Sequence, residues 1–455
     1  MSLGSLLSIA KSALQTQQSA LNVTGHNIAN ATTPGYTRQR IALTAETPLR
    51  TPQGTIGRGV TDEGIFATRN RFLDASYRRE TGVFQHADTL RDLMGRVEQV
   101  FGEPSDNGLA ASIDAFFSSF SDLANDPASL SARAAVQQAG QQLVRQIGTI
   151  DGRINEVNQT VVDTFRDTVT QVNSIAQQVA TLNQQIVVAG GPNRTAPDLQ
   201  DARGKLLDQL AGYGSVRVIE HDNGSVGVVF GDTLLVDGSQ QQTLDVRTPV
   251  GGGLFAGVVG ETRNLTPIAG SLAALSELAG QGLPSVRAEL DRLTSALVTS
   301  VNAIHAAGTT NAGATNTNFF DPAGITANSF ALAAPIAANA ANIVAGTTAA
   351  SGDNAVALQL AGLRTTPIAS LNSSTAGEFY VSLVSSVGSI VRDATQESDA
   401  SEALANGTAT RRSSATGVST DEEMVDLMVH QQAFAAASRL VKVADDLMQT
   451  LLTMV

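Results

Sequence analysis

Both ends of this 455-residue chain carry the same seven-residue hydrophobic repeat. Leu7, Leu14, Leu21 and Ile28 recur at that interval near the start, and Leu427, Phe434, Val441, Met448 and Val455 recur at it near the end. A sustained heptad keeps one seam of a helix apolar as the helix supercoils, and such a seam has to be covered by another helix. Leu440, Leu447 and Leu451, with Ala437 and Ala444, widen the C-terminal stripe beyond what one groove requires. Chain ends ordinarily fray. Two apolar ends are therefore expected to bind each other, further copies of the chain, or another subunit. The small residues Ala10, Ala13, Ala20, Ala437 and Ala444 allow close helix approach.

Composition fits a chain of long helices. Charged residues are only 16% of the total, against a usual share of about 25%. Aromatic residues are 4%, and Trp and Cys are absent. Long helices with small-residue seams fit this profile better than a deep aromatic pocket does. The net charge of -13 argues against nucleic acid and anionic membranes, which need clustered Lys and Arg. Without cysteine there is no disulfide, thiol nucleophile or thiolate metal site. The start, MSLGSLLSIAKSAL, has no basic n-region, so no Sec-type signal is expected. An uncharged stretch lies between Asp321 and Asp353, but Asn328, Pro335, Asn339 and Asn342 interrupt it and make it a poor membrane span.

The spacing of apolar residues predicts a mainly α fold: a long helical bundle with paired terminal coiled-coil helices, a small β-rich region and a small outer module. Residues 1–60 and 413–455 form the two halves of the terminal domain in this reading. The first holds a helix over 2–30, ended by ATTPGYTRQR, and then short strands among Pro48, Pro52 and several glycines. Residues 61–211, 269–307 and 366–412 make the bundle. Its longest helix, about 130 to 188, follows from Leu143, Ile147, Ile150, Ile154, Val157, Val161, Phe165 and their successors, and is roughly 85 Å long at ~1.5 Å per residue. Its apolar stripe is read as ordinary bundle core. Residues 212–268 switch to alternation of period two, with a hairpin turn at Asp222-Asn223-Gly224. Residues 308–365 are rich in Gly, Ala, Thr and Asn and are read as a loosely patterned outer module. Ser419 or Thr420 with Glu422 or Glu423 starts the last helix, where Asp421, Glu422 and Glu423 complement its dipole.

Little points to chemistry. The five histidines, at 26, 86, 221, 305 and 430, lie in separate elements without a metal-ligand spacing. Gly204-Lys205 resembles the end of a phosphate loop, but Leu206 stands where Ser or Thr should hold magnesium. No catalytic residue, cofactor or metal is expected. A glycosidase with two carboxylates distant in sequence stays open as an alternative.

The residues GHNIANATTPGYTRQR (25–40) resemble the N-terminal signature of the bacterial flagellar axial proteins, the rod, hook and hook-associated subunits. Asn27 and Asn30 suit a helix end, Pro34-Gly35 a turn, and Tyr36 offers a ring with a polar tip. The stretches 420–452, 197–218 and 351–363, the last after Phe319-Phe320, are similar within that group to the hook-associated protein 1 family. The resemblance implies a structural subunit, exported unfolded without a cleaved signal through the flagellar type III apparatus. It would polymerise at the hook-filament junction, outside the cell, and serve motility. Implied partners are other copies, hook protein, hook-associated protein 3, and a cytoplasmic export chaperone at the C-terminal helix. The assembly interface is expected at Leu7, Leu14, Leu21, Asn27, Ile28, Asn30, Pro34, Gly35, Tyr36, Leu427, Phe434, Val441, Met448 and Leu451. The rival readings are a flagellar-tip cell-wall hydrolase and a coiled-coil surface adhesin.

Overall fold

The computed structural model describes residues 3–51, 54–103, 105, 108–190, 195–248, 253–265 and 269–453, the side chains of Leu3, Thr51 and Leu451 excepted. Helix α1, Leu3–Ala29, stops short of Pro34, whose ring disfavours helix for the residue before it. An antiparallel ribbon follows. Strand β1, Gln39–Ala45, pairs with β4, Val60–Ala67, with a bulge at Ala42/Leu43. Between them lies the small hairpin of β2, Leu49–Thr51, and β3, Gly54–Ile56.

The bundle begins with α2, Arg71–Phe101, capped by Asn70, whose side chain accepts from the Phe72 and Leu73 amides, and ended by Gly102 in the left-handed region. Helix α3, Leu109–Asn125, carries Phe116, Phe117 and Phe120 to the core. Helix α4, Leu130–Ala189, runs 60 residues from a Ser129 cap. Its Leu143, Ile147, Ile150, Ile154, Val161, Phe165 and Val169 are buried, as the spacing of three and four required. Helix α5, Pro197–Tyr213, packs on the far end of α4.

There the chain turns to β structure. Strands β5 (Val216–Glu220), β6 (Val226–Phe230), β7 (Thr233–Asp237) and β8 (Gln240–Gln241) form one antiparallel sheet in that order. Gly224 has φ +84° in the β5–β6 turn, a conformation that favours glycine. Strand β9, Leu244–Arg247, pairs with β10, Phe255–Val258. Helix α6, Gly270–Glu277, passes through a π segment, Leu278–Gly282, into α7, Leu283–His305.

The short helices α8, Ala334–Ala338, and α9, Ala355–Gly362, lie within the segment 308–365. This segment differs from the expectation of a loose outer module. Phe319 and Phe320 are fully buried, with ring centroids 5.3 and 5.5 Å from Phe116. The Asn302 side chain fixes them by accepting from both their amides at 2.9 Å. Few large apolar residues occur here, but those few belong to the main core. Helix α10, Ala376–Thr416, opens with a capping box of Thr375 and Glu378 and packs along α2. Helix α11, Thr420–Thr453, returns alongside α1.

Candidate assembly interface

The seam between α1 and α11 is made of small residues. Ala10, Ala20, Ala437 and Ala444 are buried in it, with Thr16, Val23 and Thr24, and the absence of bulk lets the two backbones approach closely. His430 Nδ1 and Gln17 Oε1 meet across it at 2.8 Å. Leu7, Leu14, Leu21 and Ile28 are half-buried, as are Leu427 and Val441. The pairing of the two ends leaves much of the C-terminal stripe uncovered. Phe434 is 36% exposed and Met448 43%. Met424, Val425, Met428, Val429, Leu440, Val443 and Leu447 are also exposed. Leu451 lies outside the described side chains, and Val455 outside the described residues.

At the base of the seam is a polar clasp. Asn27, 1% exposed, gives one amide hydrogen to the Gln39 carbonyl and the other to Glu423 Oε2, each at 2.9 Å. Its Oδ1 accepts from the Gln39 amide at 3.0 Å and from the Tyr36 hydroxyl at 2.8 Å. Every hydrogen-bonding position of the side chain is occupied, which burial of an amide demands. Burial, with Asp198, Asp201 and Glu423 nearby, pushes the Tyr36 hydroxyl well above its ordinary pKa, so it stays a donor. Glu423 is 2% exposed and also takes Arg38 Nε at 2.5 Å. The same guanidinium reaches Glu422 at 2.8 Å and Asp426 at 3.2 Å.

The turn that presents Tyr36 rests on other elements. Asn30 Nδ2 donates to the His26 carbonyl at 3.0 Å and its Oδ1 accepts from Thr33 at 3.1 Å, closing the helix end. Pro34 is exposed. Gly35 has φ +76°, and the Lys205 side chain lies where a Cβ would project. The Thr37 amide donates to Asp201 Oδ2 at 2.9 Å, Gln39 Nε2 to Asp198 Oδ1 at 2.7 Å, and the Arg38 amide to the Thr416 carbonyl at 2.9 Å. The terminal domain is thus joined to α5 and α10 through one short segment. Gly204-Lys205 lies inside α5 and touches Arg69 and Gly35, with no phosphate-loop geometry.

Reading residues by type found Asn27 and Tyr36 but missed Arg38, Gln39, Asp201 and Glu423. Arg38 and Gln39 stand in the quoted signature itself. Glu423 was assigned to the helix dipole. Its position four residues before Leu427 puts it on the seam, and that spacing was the available signal.

The histidines serve local structure. His305, fully buried, is held between the Thr317 carbonyl at 2.6 Å and the Val344 amide at 2.9 Å. The other four pair with Tyr36, Glu277, Asp237 and Gln17. Among the described residues no group of three or more His, Asp or Glu is placed to hold a metal, and no helix is long and apolar enough to cross a membrane. Two carboxyls whose acidity the fold changes, Asp353 and Glu378, are both held below the usual range by hydrogen bonds from neighbouring amides and hydroxyls.

The chain is similar to known proteins along most of its length. Residues 94–320 match the family model described as the flagellar hook-associated protein FlgK helical domain. Residues 7–37 match the flagella basal body rod protein family, and 411–454 the flagellar basal body rod FlgEFG protein C-terminal family. The chain is 28% identical over 488 residues to flagellar hook-associated protein 1 of Bacillus subtilis, an alignment covering 97% of this chain and 96% of that protein. It is 28% identical over 329 residues to flagellar hook-associated protein 1 of Salmonella typhimurium, covering 70% of this chain and 59% of that longer protein. In fold it is similar to the flagellar hook junction protein FlgK from Burkholderia pseudomallei, with a TM-score of 0.66, 16% identity, and coverage of 76% of this chain and 100% of that one. The family models match both ends and the helical centre, the Bacillus alignment spans nearly all of both proteins, and the chain belongs to the flagellar hook-associated protein 1 family.

Proposed function

We propose that this chain is a structural subunit of the bacterial flagellum that forms the junction between hook and filament by polymerising through its terminal helices. The observation that carries the polymer interface is the uncovered apolar face of α11, from Met424 to Leu447, left over after α1 has covered the small-residue seam. A face of that length is an unusual surface for a lone molecule. Covering it in an assembly gains about 1 kcal/mol for each half-exposed side chain buried.

The neighbours in this reading are further copies, hook protein on one side and hook-associated protein 3 on the other. Before export, a cytoplasmic chaperone would cover the same face of α11, because one apolar surface cannot be left bare at cellular concentration. The chain would leave the cell unfolded through the flagellar type III apparatus. No catalytic step is assigned to it.

Electron microscopy of a strain lacking the gene tests the reading. Hooks without filaments, restored by the intact gene and not by one encoding Phe434→Asp, are expected. Normal filaments in the deletion strain would overturn the junction role.

A further inference from the structure

Away from the terminal helices, a cleft of about 940 Å³ lies between β4, α2, α5 and the β5–β6 hairpin. Arginines dominate its wall, and three of them are matched by carboxylates. Arg69 pairs with Asp201 at 2.7 Å, Arg78 with Asp208 at 2.8 Å, and Arg71 with Glu220. Asp74, also on the wall, is held by Arg412 at 2.8 Å.

Arg203 is different. It is 7% exposed, and its hydrogen bonds run from Nη1 to two neutral acceptors, Asn183 Oδ1 at 2.8 Å and the Gly224 carbonyl at 2.9 Å. Among the described residues it has no carboxylate partner, and Nε and Nη2 have no acceptor. Those two nitrogens form the edge of a guanidinium that grips an oxyanion through two parallel hydrogen bonds. The group is also held in place. Asn183 is fully buried and donates to the carbonyls of Val226 and Gly238, so the acceptor that orients Arg203 is itself immobile. Burial, with Arg69 and then Arg78 nearby, brings the Arg203 pKa down to about 10, although the charge of Glu220 acts in the opposite direction. A buried cation with no carboxylate in hydrogen-bond contact is costly to keep. Arg217, exposed on the same wall, likewise has no carboxylate partner among the described residues.

We propose that the Nε–Nη2 edge of Arg203 receives an oxyanion, a carboxylate or an inorganic phosphate, in the cleft between α2, α5 and the β5–β6 hairpin. The source is either a free anion or an acidic side chain of a second copy, and the chain's 42 Asp and Glu against 29 Lys and Arg make such side chains plentiful. The site does not depend on assembly through the terminal helices.

Isothermal titration of the purified full-length monomer with sodium phosphate, and separately with sodium acetate, tests this at an ionic strength held constant with chloride. Saturable binding is expected, weakened about tenfold or more by Arg203→Gln, the loss of one bidentate charge-assisted contact. Arg217→Gln, at an exposed position, is the second variant and should weaken binding several-fold even if Arg203→Gln fails to fold. Sedimentation of the same proteins separates the two sources. If a second copy supplies the carboxylate, Arg203→Gln or added phosphate reduces self-association; if the ligand is a free anion, only the titration responds. Absence of saturable binding together with unchanged self-association, or equal phosphate affinity in wild type and both variants, overturns the proposal.

Discussion

Asn27 Nδ2 donates to Glu423 Oε2 at 2.9 Å, joining residues 396 positions apart in the sequence. This bond closes the two ends of the chain on each other inside one molecule. It also sets the register of α1 against α11, because both groups are buried and each is held by further bonds, Asn27 to Gln39 and Tyr36 and Glu423 to Arg38.

Glu423→Ala is expected to loosen both terminal helices together. It strips Arg38 of its buried partner and leaves one Asn27 hydrogen without an acceptor. Arg38 keeps Glu422 and Asp426, so the main cost is the unsatisfied buried Asn27 donor, roughly 1–3 kcal/mol. Amide hydrogen exchange should show faster exchange through α1 and α11 with α2 to α10 unaffected. Unchanged protection of α1 would remove the clasp from the account.

Phe434→Asp should spare the monomer, since Phe434 is 36% exposed on the uncovered face. In an assembled, dry helix contact the new carboxylate carries a desolvation penalty of several kcal/mol. Circular dichroism and melting of the monomer are therefore expected to match wild type while filament growth and motility fail. A motile strain with normal filaments would contradict the interface, and an unfolded monomer would place Phe434 in the core.

Phe319→Ala is expected to destabilise the central bundle by about 3–5 kcal/mol through loss of a buried ring and the cavity it leaves. Chemical denaturation followed by far-ultraviolet circular dichroism measures this. Deleting residues 309–350 should abolish cooperative unfolding, because it removes both phenylalanines along with their Asn302 contacts. A cooperative transition in the deletion protein would show that the segment is separable after all.

Acid should weaken the same region through His305. Burial, with Arg133 nearby, lowers its pKa from 6.5 to about 4 in the folded state, although the Thr317 carbonyl acts in the opposite direction. The unfolded chain therefore binds a proton that the folded one resists between those values. Stability rises with pH across this window: the full contribution is present above pH 6.5, and on the order of 3 kcal/mol is lost as pH falls to 4. Denaturant midpoints of wild type and His305→Gln across pH 4–7 check this. An equal pH slope in the two proteins would rule out His305 as its source.

Local patterns in the sequence determined the helices and their faces. The three-and-four spacing from Leu143 to Ile186 specified α4 and its buried side, Pro34-Gly35 ended α1, and Asp222-Asn223-Gly224 placed a hairpin. Each of these follows from backbone sterics or from the period of one element, and such information is contained in a short window. The heptads at the two ends likewise announced apolar seams in need of partners. What only the tertiary structure decided is which groups meet across long separations. Glu423 as partner of Asn27 and Arg38, Asp201 as acceptor for the Thr37 amide, and Phe319-Phe320 packed on Phe116 all depend on how helices cross. No local window contains that. The split of the C-terminal stripe has the same origin. Small residues at Ala437 and Ala444 bring α11 against α1, and the larger side chains of its other faces, Phe434 and Met448 included, stay partly open to solvent because a single neighbouring helix covers only one side of a cylinder.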